Sequence, residues 1–311
     1  MARKHDTGWR DGRLPELHRT LDIPMPMAGM TFPMFEYDRG EPVGLINYIR
    51  RGDTLPRGPG VADAYAALGD LRSNLGVELP FITAIYDPRN WAFRLFAHNK
   101  AAIRLLGTDV WLNCTELHFA RLLYHMRGRA MLAPSILADF GVEFSEASWL
   151  GYEGQQRVVG WPGQDMSARR RAYEPESVMD EYNRWRRVPF NDRAPCADID
   201  LAVVSDATRQ VSLLVEFKRD GAHVDANHHT CKALSRFRDA DNREMPAVIA
   251  KYRYDTDAPR FWVLCLNNEA RNLLWWVMTS TGAVTDAWVP DDWTYMDLGR
   301  WVAFVEHAKS M

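Results

Sequence analysis

The sequence predicts a mixed α/β protein that consists of two tandem units. Three observations support this prediction. The second half of the chain aligns on the first half in consecutive blocks, short apolar runs separated by polar turns occur in both halves, and segments with a helical spacing of apolar residues lie between those runs. Strands that alternate with helices indicate an α/β layer fold.

The internal repeat appears when the second half of the 311-residue chain is shifted along the first. Residues 28–52 fall on residues 197–221 without a gap, and residues 67–86 fall on residues 233–252. The same order continues in the pairs Leu95/Leu264, Asn99/Asn268, Ala101/Ala270, Leu105/Leu274, Trp111/Trp293 and His125/His307. Because the offset changes only where loops are expected, the pattern favours a duplicated domain with insertions.

The first unit begins with two apolar runs that predict a β-hairpin. These runs are Phe32–Tyr37 and Val43–Tyr48, and the polar residues 38–41 separate them as a turn. The elements expected to follow are a helix over 61–75, strands over Phe81–Tyr86 and Trp91–Phe96, and a closing helix over Thr115–Met126.

The second unit repeats this order after an additional helix. Ser177 and Asp180 have the spacing of a capping box, which predicts a helix over 178–187 that ends before Pro189. A hairpin then follows over Ile199–Val204 and Val211–Phe217. The later elements expected are a helix over 226–239, strands over Ala247–Tyr254 and Phe261–Leu266, and a terminal helix over Asp297–Ala308.

The repeat also predicts the domain boundaries. At roughly 100–200 residues per domain, the chain is long enough for two domains. Residues from about 130 to 172 have no counterpart in the repeat and are rich in Gly, Ser and Pro. We therefore expect a first domain over 1–129, a linker over 130–172 and a second domain over 173–311.

Composition excludes several classes of protein. The 38 Lys and Arg residues against 41 Asp and Glu residues give a formal net charge of -3, so the chain is not basic throughout and nucleic acid must contact a local patch. No apolar run approaches the ~18 residues that a membrane span needs. The four cysteines form no CxxC pair and the first residues are polar, so we expect a cytoplasmic protein without disulfides or membrane contact.

The second hairpin carries acidic residues on both strands. Asp198 and Asp200 open its first strand, whereas Glu216 and Lys218 end its second. Side chains alternate along a strand, so either aspartate can face Glu216 across the hairpin. Two close carboxylates repel each other unless a cation lies between them, and hard oxygen ligands suit Mg²⁺. The hairpin therefore predicts a magnesium site, with Lys218 placed to orient water or to stabilise charge on a phosphate.

This motif resembles that of the PD-(D/E)xK, or restriction-endonuclease-like, nuclease superfamily. Asp200 is followed after 15 residues by Glu216-Phe217-Lys218, which comes directly after an apolar strand. The surrounding order of elements is similar to the αβββαβ-type core of that superfamily. The resemblance covers residues from about 173 to 311 and, in degenerate form, residues from about 10 to 129. It implies two tandem restriction-endonuclease-like domains.

The resemblance implies a role for each residue of the motif. Asp200 and Glu216 would hold Mg²⁺ or Mn²⁺ with help from the Phe217 carbonyl, and Lys218 would position the attacking water. Two further candidates for the metal are Asp198, the alternative first carboxylate, and Glu181, which matches an acidic residue that some members place on the preceding helix.

The first unit lacks these charges although its apolar pattern persists. The equivalent residues are Thr31 for Asp200, Asn47 for Glu216 and Ile49 for Lys218. Since the repeat is kept without the charges, the fold does not require them, and metal chemistry accounts for their presence in the second unit. We therefore expect a catalytically inactive first unit and a single active site in the second.

Basic residues near the predicted site are candidates for contacts with nucleic acid. Arginine forks bind phosphates, and exposed aromatic rings stack on unpaired bases. The alternative is an ordinary solvated helix face on which nearby acidic residues balance the arginines. The candidate residues are Arg184, Arg186, Arg187, Arg219 and Lys232.

A cluster of histidines raises the question of a zinc site. His223, His228, His229 and Cys231 lie close together in the chain, as zinc ligands do. Their spacing matches no tetrahedral zinc site, and no second pair of ligands accompanies them. We expect instead that they begin the helix after the second hairpin.

Together these observations predict a metal-dependent deoxyribonuclease. The expected partners are DNA, with RNA left open, and a second copy of the chain. The alternative is a non-catalytic, nuclease-derived protein of phage or mobile-element origin that binds DNA or serves in assembly. The complete set of Asp200, Glu216 and Lys218 favours the enzyme, because a purely structural descendant has no reason to keep it.

Overall fold

A computed structural model gives the structure of most of both units. It describes residues 32–52, 61–87, 92–114, 116–128, 196–219, 222–253, 259–285, 287–290 and 292–311. Within these residues the protein is mixed α/β, with one six-stranded and one five-stranded mixed sheet and six helices. The predicted mixed α/β class is therefore confirmed. The predicted helix over 178–187 and the predicted linker over 130–172 lie outside the described residues.

The first sheet contains one strand from beyond the first unit. The elements are β1 (Phe32–Asp38), β2 (Glu41–Arg50), α1 (Val61–Gly69), β3 (Phe81–Asp87), β4 (Ala92–Ala97), α2 (Lys100–Leu106), β5 (Leu112–Cys114), α3 (Glu116–His125) and β6 (Cys196–Asp198). Their strand order is β5-β4-β3-β2-β1-β6. Only the neighbours β2 and β3 run parallel.

The second sheet is built from the rest of the chain. Its elements are β7 (Leu201–Val204), β8 (Val211–Arg219), α4 (His229–Leu234), β9 (Ala247–Arg253), β10 (Arg260–Cys265), α5 (Asn268–Ser280), β11 (Thr294–Asp297) and α6 (Leu298–Ser310). The strand order is β11-β10-β9-β8-β7, and only β8 and β9 run parallel. We call residues 32–128 the first copy and residues 199–311 the second copy.

The two copies agree in strand register as well as in order. In the first copy Leu45 lies opposite Phe81 in the parallel pair, and in the second copy Leu214 lies opposite Ala247. The sequence alignment pairs Leu45 with Leu214 and Phe81 with Ala247. The shift in offset between β2 and β3 therefore preserves the hydrogen-bonded neighbours, as insertion into a loop would.

One block of the sequence alignment is wrong by one residue. Asn99 corresponds to Asn267 rather than to Asn268, because both are N-caps with the same partners. The Asn99 amide donates to the carbonyls of Gly69 and Leu79, as the Asn267 amide does to those of Ser235 and Met245. Each side-chain oxygen also accepts from the third residue of the following helix. In each copy this side chain, which is buried at Asn267 and half-buried at Asn99, ties a helix to two loops, and this explains why asparagine is retained.

The two copies share a hydrophobic core around an approximate two-fold axis. Arg72 and Arg238, which are equivalent in the repeat, exchange backbone hydrogen bonds of 2.9 Å in both directions. The shared core, which we call the central core, includes Phe35, Leu45, Leu68, Leu71, Phe81, Leu214, Leu234, Phe237 and Met245. This is the arrangement of an isologous dimer within one chain. Each copy thus buries apolar side chains that it would otherwise expose.

The central core also explains why two helices are shorter than the sequence predicts. The predicted helix over 61–75 ends at Gly69, and the one over 226–239 extends only over His229–Leu234. In both copies the chain leaves the helix to reach the Arg72–Arg238 bridge, so a contact between the copies overrides local helix propensity.

Each sheet packs its other face against its own copy's later helices. In the second copy β8, β9 and β10 cover α5 and α6, with Trp301, Phe304 and Phe261 fully buried. The helix α5 is an additional element that the sequence analysis did not predict. Leu273 and Leu274 lie in this core on α5, but Trp276 is 47% exposed.

Within the described residues, none of the helices combines the length and the apolar character that crossing a membrane requires.

Candidate functional site

The candidate site lies at the end of β8, on the sheet face that is turned toward the central core. Along this strand Leu213, Val215 and Phe217 belong to the core beneath α5 and α6. Glu216 and Lys218 therefore lie on the opposite face, which they share with Leu214 of the central core. The alternation predicted from the sequence thus places both charged residues together.

Asp200 meets β8 from the neighbouring strand. Leu201 pairs with Val215, so the antiparallel register brings Asp200 opposite Glu216, where side chains share a face. Asp200 is only 5% exposed, and its Oδ2 accepts a hydrogen bond of 2.6 Å from the Phe217 N–H. Because β7 begins only at Leu201, the Asp200 carboxylate accepts this hydrogen bond in place of a strand carbonyl. The structure thus brings Asp200 next to Glu216 and Lys218 at the end of β8.

Glu216 is a buried carboxylate with one oxygen engaged. It is 7% exposed, and its Oε1 pairs with the Lys218 ammonium. Its Oε2 is buried and has no hydrogen-bond partner among the described residues. Burial raises the pKa of Glu216, and the positive charge of Lys218 opposes that shift only in part. A buried polar atom without a partner is costly, so this oxygen is suited to receive a cation.

A buried thiol, that of Cys231, lies beside this site, and the sequence analysis did not place it there. Cys231, on α4, lies in the field of Glu216 and Lys218: burial first, and then the charge of Glu216, raise the pKa of its thiol. The zinc hypothesis grouped Cys231 with three histidines because these residues are close in the sequence. In the structure Cys231 is buried, whereas His228 caps α4 and is exposed together with His229. Helical spacing could have indicated the separation of His229 from Cys231, since residues two apart do not face each other on a helix.

The residues present suit a hard cation held by few protein ligands. Asp200 and Glu216 offer carboxylate oxygens, which Mg²⁺ prefers. The Phe217 ring packs against Trp301, so a ligand from this residue would have to be its backbone carbonyl. Among the residues that the structure describes, no three His, Cys, Asp or Glu side chains converge as a metal-binding group. Mg²⁺ usually keeps several water molecules as ligands, so two protein carboxylates are enough to bind it.

Two proposed metal ligands lie at or beyond the limits of the description. The backbone of Asp198 ends β6, where it pairs with Met34 in the first sheet. The sequence placed this residue in the second unit's hairpin, but the chain passes from the first sheet to the second between Asp198 and Leu201. The side chain of Asp198 and the whole of Glu181 lie outside the described residues.

The equivalent place in the first copy is polar but carries no charge. Asn47 is fully buried on β2, and its amide donates a hydrogen bond of 2.6 Å to the Tyr65 hydroxyl. Ile49 is buried where the second copy has Lys218. Nearby, Thr83 bonds to His98 at 2.6 Å, and burial lowers the pKa of His98 to about 4, so this imidazole is neutral at pH 7. Thr31 lies outside the described residues.

The predicted nucleic-acid contacts are only partly described. Lys232 is exposed on α4 and lies against the β1–β2 turn at Gly40 of the first copy. Arg219 ends β8, and its side chain is beyond the described part. The residues Arg184, Arg186 and Arg187 all lie outside the described ranges.

Comparison with known proteins gives no match: neither a protein-family model, nor a curated protein, nor a solved structure is significantly similar to this chain.

Proposed function

We propose that the protein is a Mg²⁺- or Mn²⁺-dependent deoxyribonuclease with a single active site, formed by Asp200, Glu216 and Lys218 in the second copy. The observation that supports this proposal most is the buried Oε2 of Glu216, which has no hydrogen-bond partner in the described structure. A carboxylate buried only for stability is ordinarily satisfied by donors on both oxygens. A cation bound at Oε2 would supply the missing interaction.

Each residue has a role that follows from its surroundings. Glu216 and Asp200 hold the cation, and the Phe217 N–H fixes the Asp200 carboxylate through a bond of 2.6 Å. The Lys218 side chain is 40% exposed, so its ammonium can reach a phosphate or water that approaches from solvent. When bound, Mg²⁺ would activate the attacking water and stabilise the charge that develops on the phosphate.

The Lys218→Ala variant is expected to retain metal binding and to lose most of the cleavage rate. The two carboxylates remain, whereas the group that orients water or stabilises charge is gone, which typically costs ~10²–10⁴-fold. Calorimetric titration with Mn²⁺ and initial rates at saturating DNA measure the two properties separately. A rate within a factor of about two of the parent would exclude this role for Lys218.

We expect the parent protein to convert supercoiled plasmid first into nicked circles. Only the second copy carries the carboxylates, and the first copy is held against it by the central core, so one chain presents one site to one strand. Linear product should appear late, or at high protein concentration when two chains meet. A time course at limiting protein tests this, and linear DNA without a nicked intermediate would contradict a single site.

The alternative function makes a different prediction in the same assay. A non-catalytic DNA-binding or assembly protein would shift the plasmid in a gel without cutting it, whichever divalent cation is present. The Glu216→Gln variant is the matched control, because it should behave like the parent in that case and unlike the parent if the site is active.

A further inference from the structure

The face of the second sheet that carries Glu216 and Lys218 also carries a row of basic and aromatic residues, which begins beside the candidate site. Lys218 on β8 lies next to Lys251 on β9, Lys251 lies opposite Trp262 on β10, and Trp262 lies opposite Tyr295 on β11. Paired residues of neighbouring strands share a face, so these four form one continuous row. Three strand spacings give it a length of about 14 Å.

The side chains of this row are accessible and in contact with one another. Tyr295 is 44% exposed, and its ring lies 5.8 Å from that of Trp262. The Lys251 ammonium lies 4.5 Å from the centre of the Trp293 ring, a cation–π contact that holds the charge at the surface. We call Lys251, Trp262, Trp293 and Tyr295 the basic–aromatic stripe.

Further basic residues lie beside the stripe, so its surroundings suit an anion. Lys218 and Lys251 are direct neighbours, and in the next row Arg253 lies directly opposite Arg260. Lys218 is already paired with Glu216, so Lys251 and the exposed Arg260 supply the positive charge that an anion would meet. The acidic residue in the same row, Asp297, is occupied as the N-cap of α6 and pairs with Arg300.

The first copy shows that the fold does not need this arrangement. At the places equivalent to Lys218 and Lys251 it has Ile49 and Ile85, which are neighbours in the same register. The residues equivalent to Trp262, Tyr295 and Trp293 are Arg94, Asn113 and Trp111. Only a cation–π contact, between Arg94 and Trp111, is retained. The lysines and the Trp262–Tyr295 pair of rings thus occur together only in the copy that carries the candidate site.

We propose that the basic–aromatic stripe binds an unpaired stretch of DNA and leads its backbone to the Asp200–Glu216 site. Exposed rings stack on the faces of bases, and those faces are available only where the strand is unpaired. Lys251 and Arg260 contact the adjacent phosphates. The inference deepens the proposed function, since it names single-stranded DNA as the substrate class, and it rests on that function only for the cleavage step.

Binding is measured with a fluorescein-labelled oligothymidylate in EDTA, by anisotropy, so that no cleavage is required. Tyr295→Ala and Trp262→Ala should each weaken binding about 5- to 150-fold, the cost of losing one stacked base. Tyr295→Ala is the primary variant because the ring is exposed; circular dichroism checks the fold of both. The matched control is Trp276→Ala, which removes an exposed tryptophan from α5, on the opposite side of the sheet, and should bind like the parent.

The charged residues are tested through the dependence of affinity on salt. Arg260→Ala should reduce the slope of log affinity against log salt by about 0.7, the value for one phosphate contact on a single strand. Arg243→Ala removes an exposed arginine that is paired with Asp239 and Asp241 elsewhere in the second copy, and should leave the slope unchanged.

The outcomes separate this inference from the proposed function. Stripe-dependent binding by a protein that cuts no DNA supports the stripe and overturns the nuclease, whereas cleavage by a Tyr295→Ala variant with parental affinity overturns the stripe alone. The stripe proposal is also overturned if duplex DNA or an oligouridylate binds more tightly than the oligothymidylate. It is equally overturned if Trp276→Ala weakens binding as much as Tyr295→Ala does.

Discussion

The Glu216→Gln variant is expected to cut no DNA and, without metal, to melt at a higher temperature than the parent. Glutamine keeps the size of the side chain but removes a negative charge that is buried and only partly compensated by Lys218. Removing one cation ligand abolishes the divalent-dependent reaction, whereas removing an uncompensated buried charge relieves a desolvation cost. Plasmid cleavage and thermal denaturation in EDTA measure the two effects.

The stability difference should depend on pH in a defined direction. Burial raises the pKa of Glu216 above its ordinary value of 4.5, so the folded protein holds this proton more tightly than the unfolded chain. The stability that the protonated carboxyl contributes is therefore lost as pH rises from about 4.5 through the raised pKa. Glutamine has no such proton, and the advantage of Glu216→Gln over the parent should grow across that range.

Two further variants complete this test. Asp200→Asn should also abolish cleavage with little loss of stability, because the amide oxygen can still accept from the Phe217 N–H. Asp206→Asn is the matched control, since this aspartate lies exposed in the turn of the same hairpin and should leave cleavage unchanged. Full activity in both site variants would show that the site is assigned to the wrong residues.

The Arg127→Met variant is expected to lose about 3–5 kcal/mol of unfolding free energy. Arg127 and Glu36 form an ion pair of 2.6 Å in the first copy with both side chains fully buried. Arg127 also donates to the Leu123 carbonyl, and Tyr48 donates to Glu36. Removing the guanidinium leaves a buried carboxylate without its main partner. Urea denaturation measures the loss, and the slope of free energy against urea shows whether unfolding stays two-state.

The second copy offers a natural control for this prediction. Lys309 occupies the place equivalent to Arg127, and it pairs with the exposed Asp206 at 3.8 Å. Although the Lys309 side chain is only 15% exposed, its partner is in contact with water, so Lys309→Met should change the unfolding free energy by less than about 1 kcal/mol, as is usual for pairs that solvent screens. Equal losses in the two variants would mean that burial does not determine the strength of these pairs.

The sequence predicts well what depends on local pattern. Alternation along β8 places Glu216 and Lys218 on one face, and the register of the hairpin follows from its apolar residues. The repeat predicts matching strand orders, which are found. The exception is Asn99, whose structural equivalent is Asn267. The sequence alignment matched it to Asn268 instead, because that neighbouring residue is also an asparagine.

Features that depend on distant contacts were not predictable in this way. The early ends of the helices after Gly69 and Leu234 follow from the Arg72–Arg238 bridge, which joins residues far apart in the chain. The basic–aromatic stripe requires the order of four strands to be known, because its members come from separate segments. The local sequence also did not indicate that one carboxylate oxygen of Asp200 would accept a hydrogen bond from the Phe217 N–H.

The most direct test of a single metal-dependent site is the anomalous scattering of Mn²⁺ in crystals of the full chain. We expect one Mn²⁺ peak, bound by the carboxylates of Asp200 and Glu216 at the end of β8, and none at the equivalent Asn47 in the first copy. Crystals of the Glu216→Gln variant, soaked in the same way, should lack the peak. Saturating Mn²⁺ without density at Asp200 and Glu216, or with density at Asn47, would contradict the account.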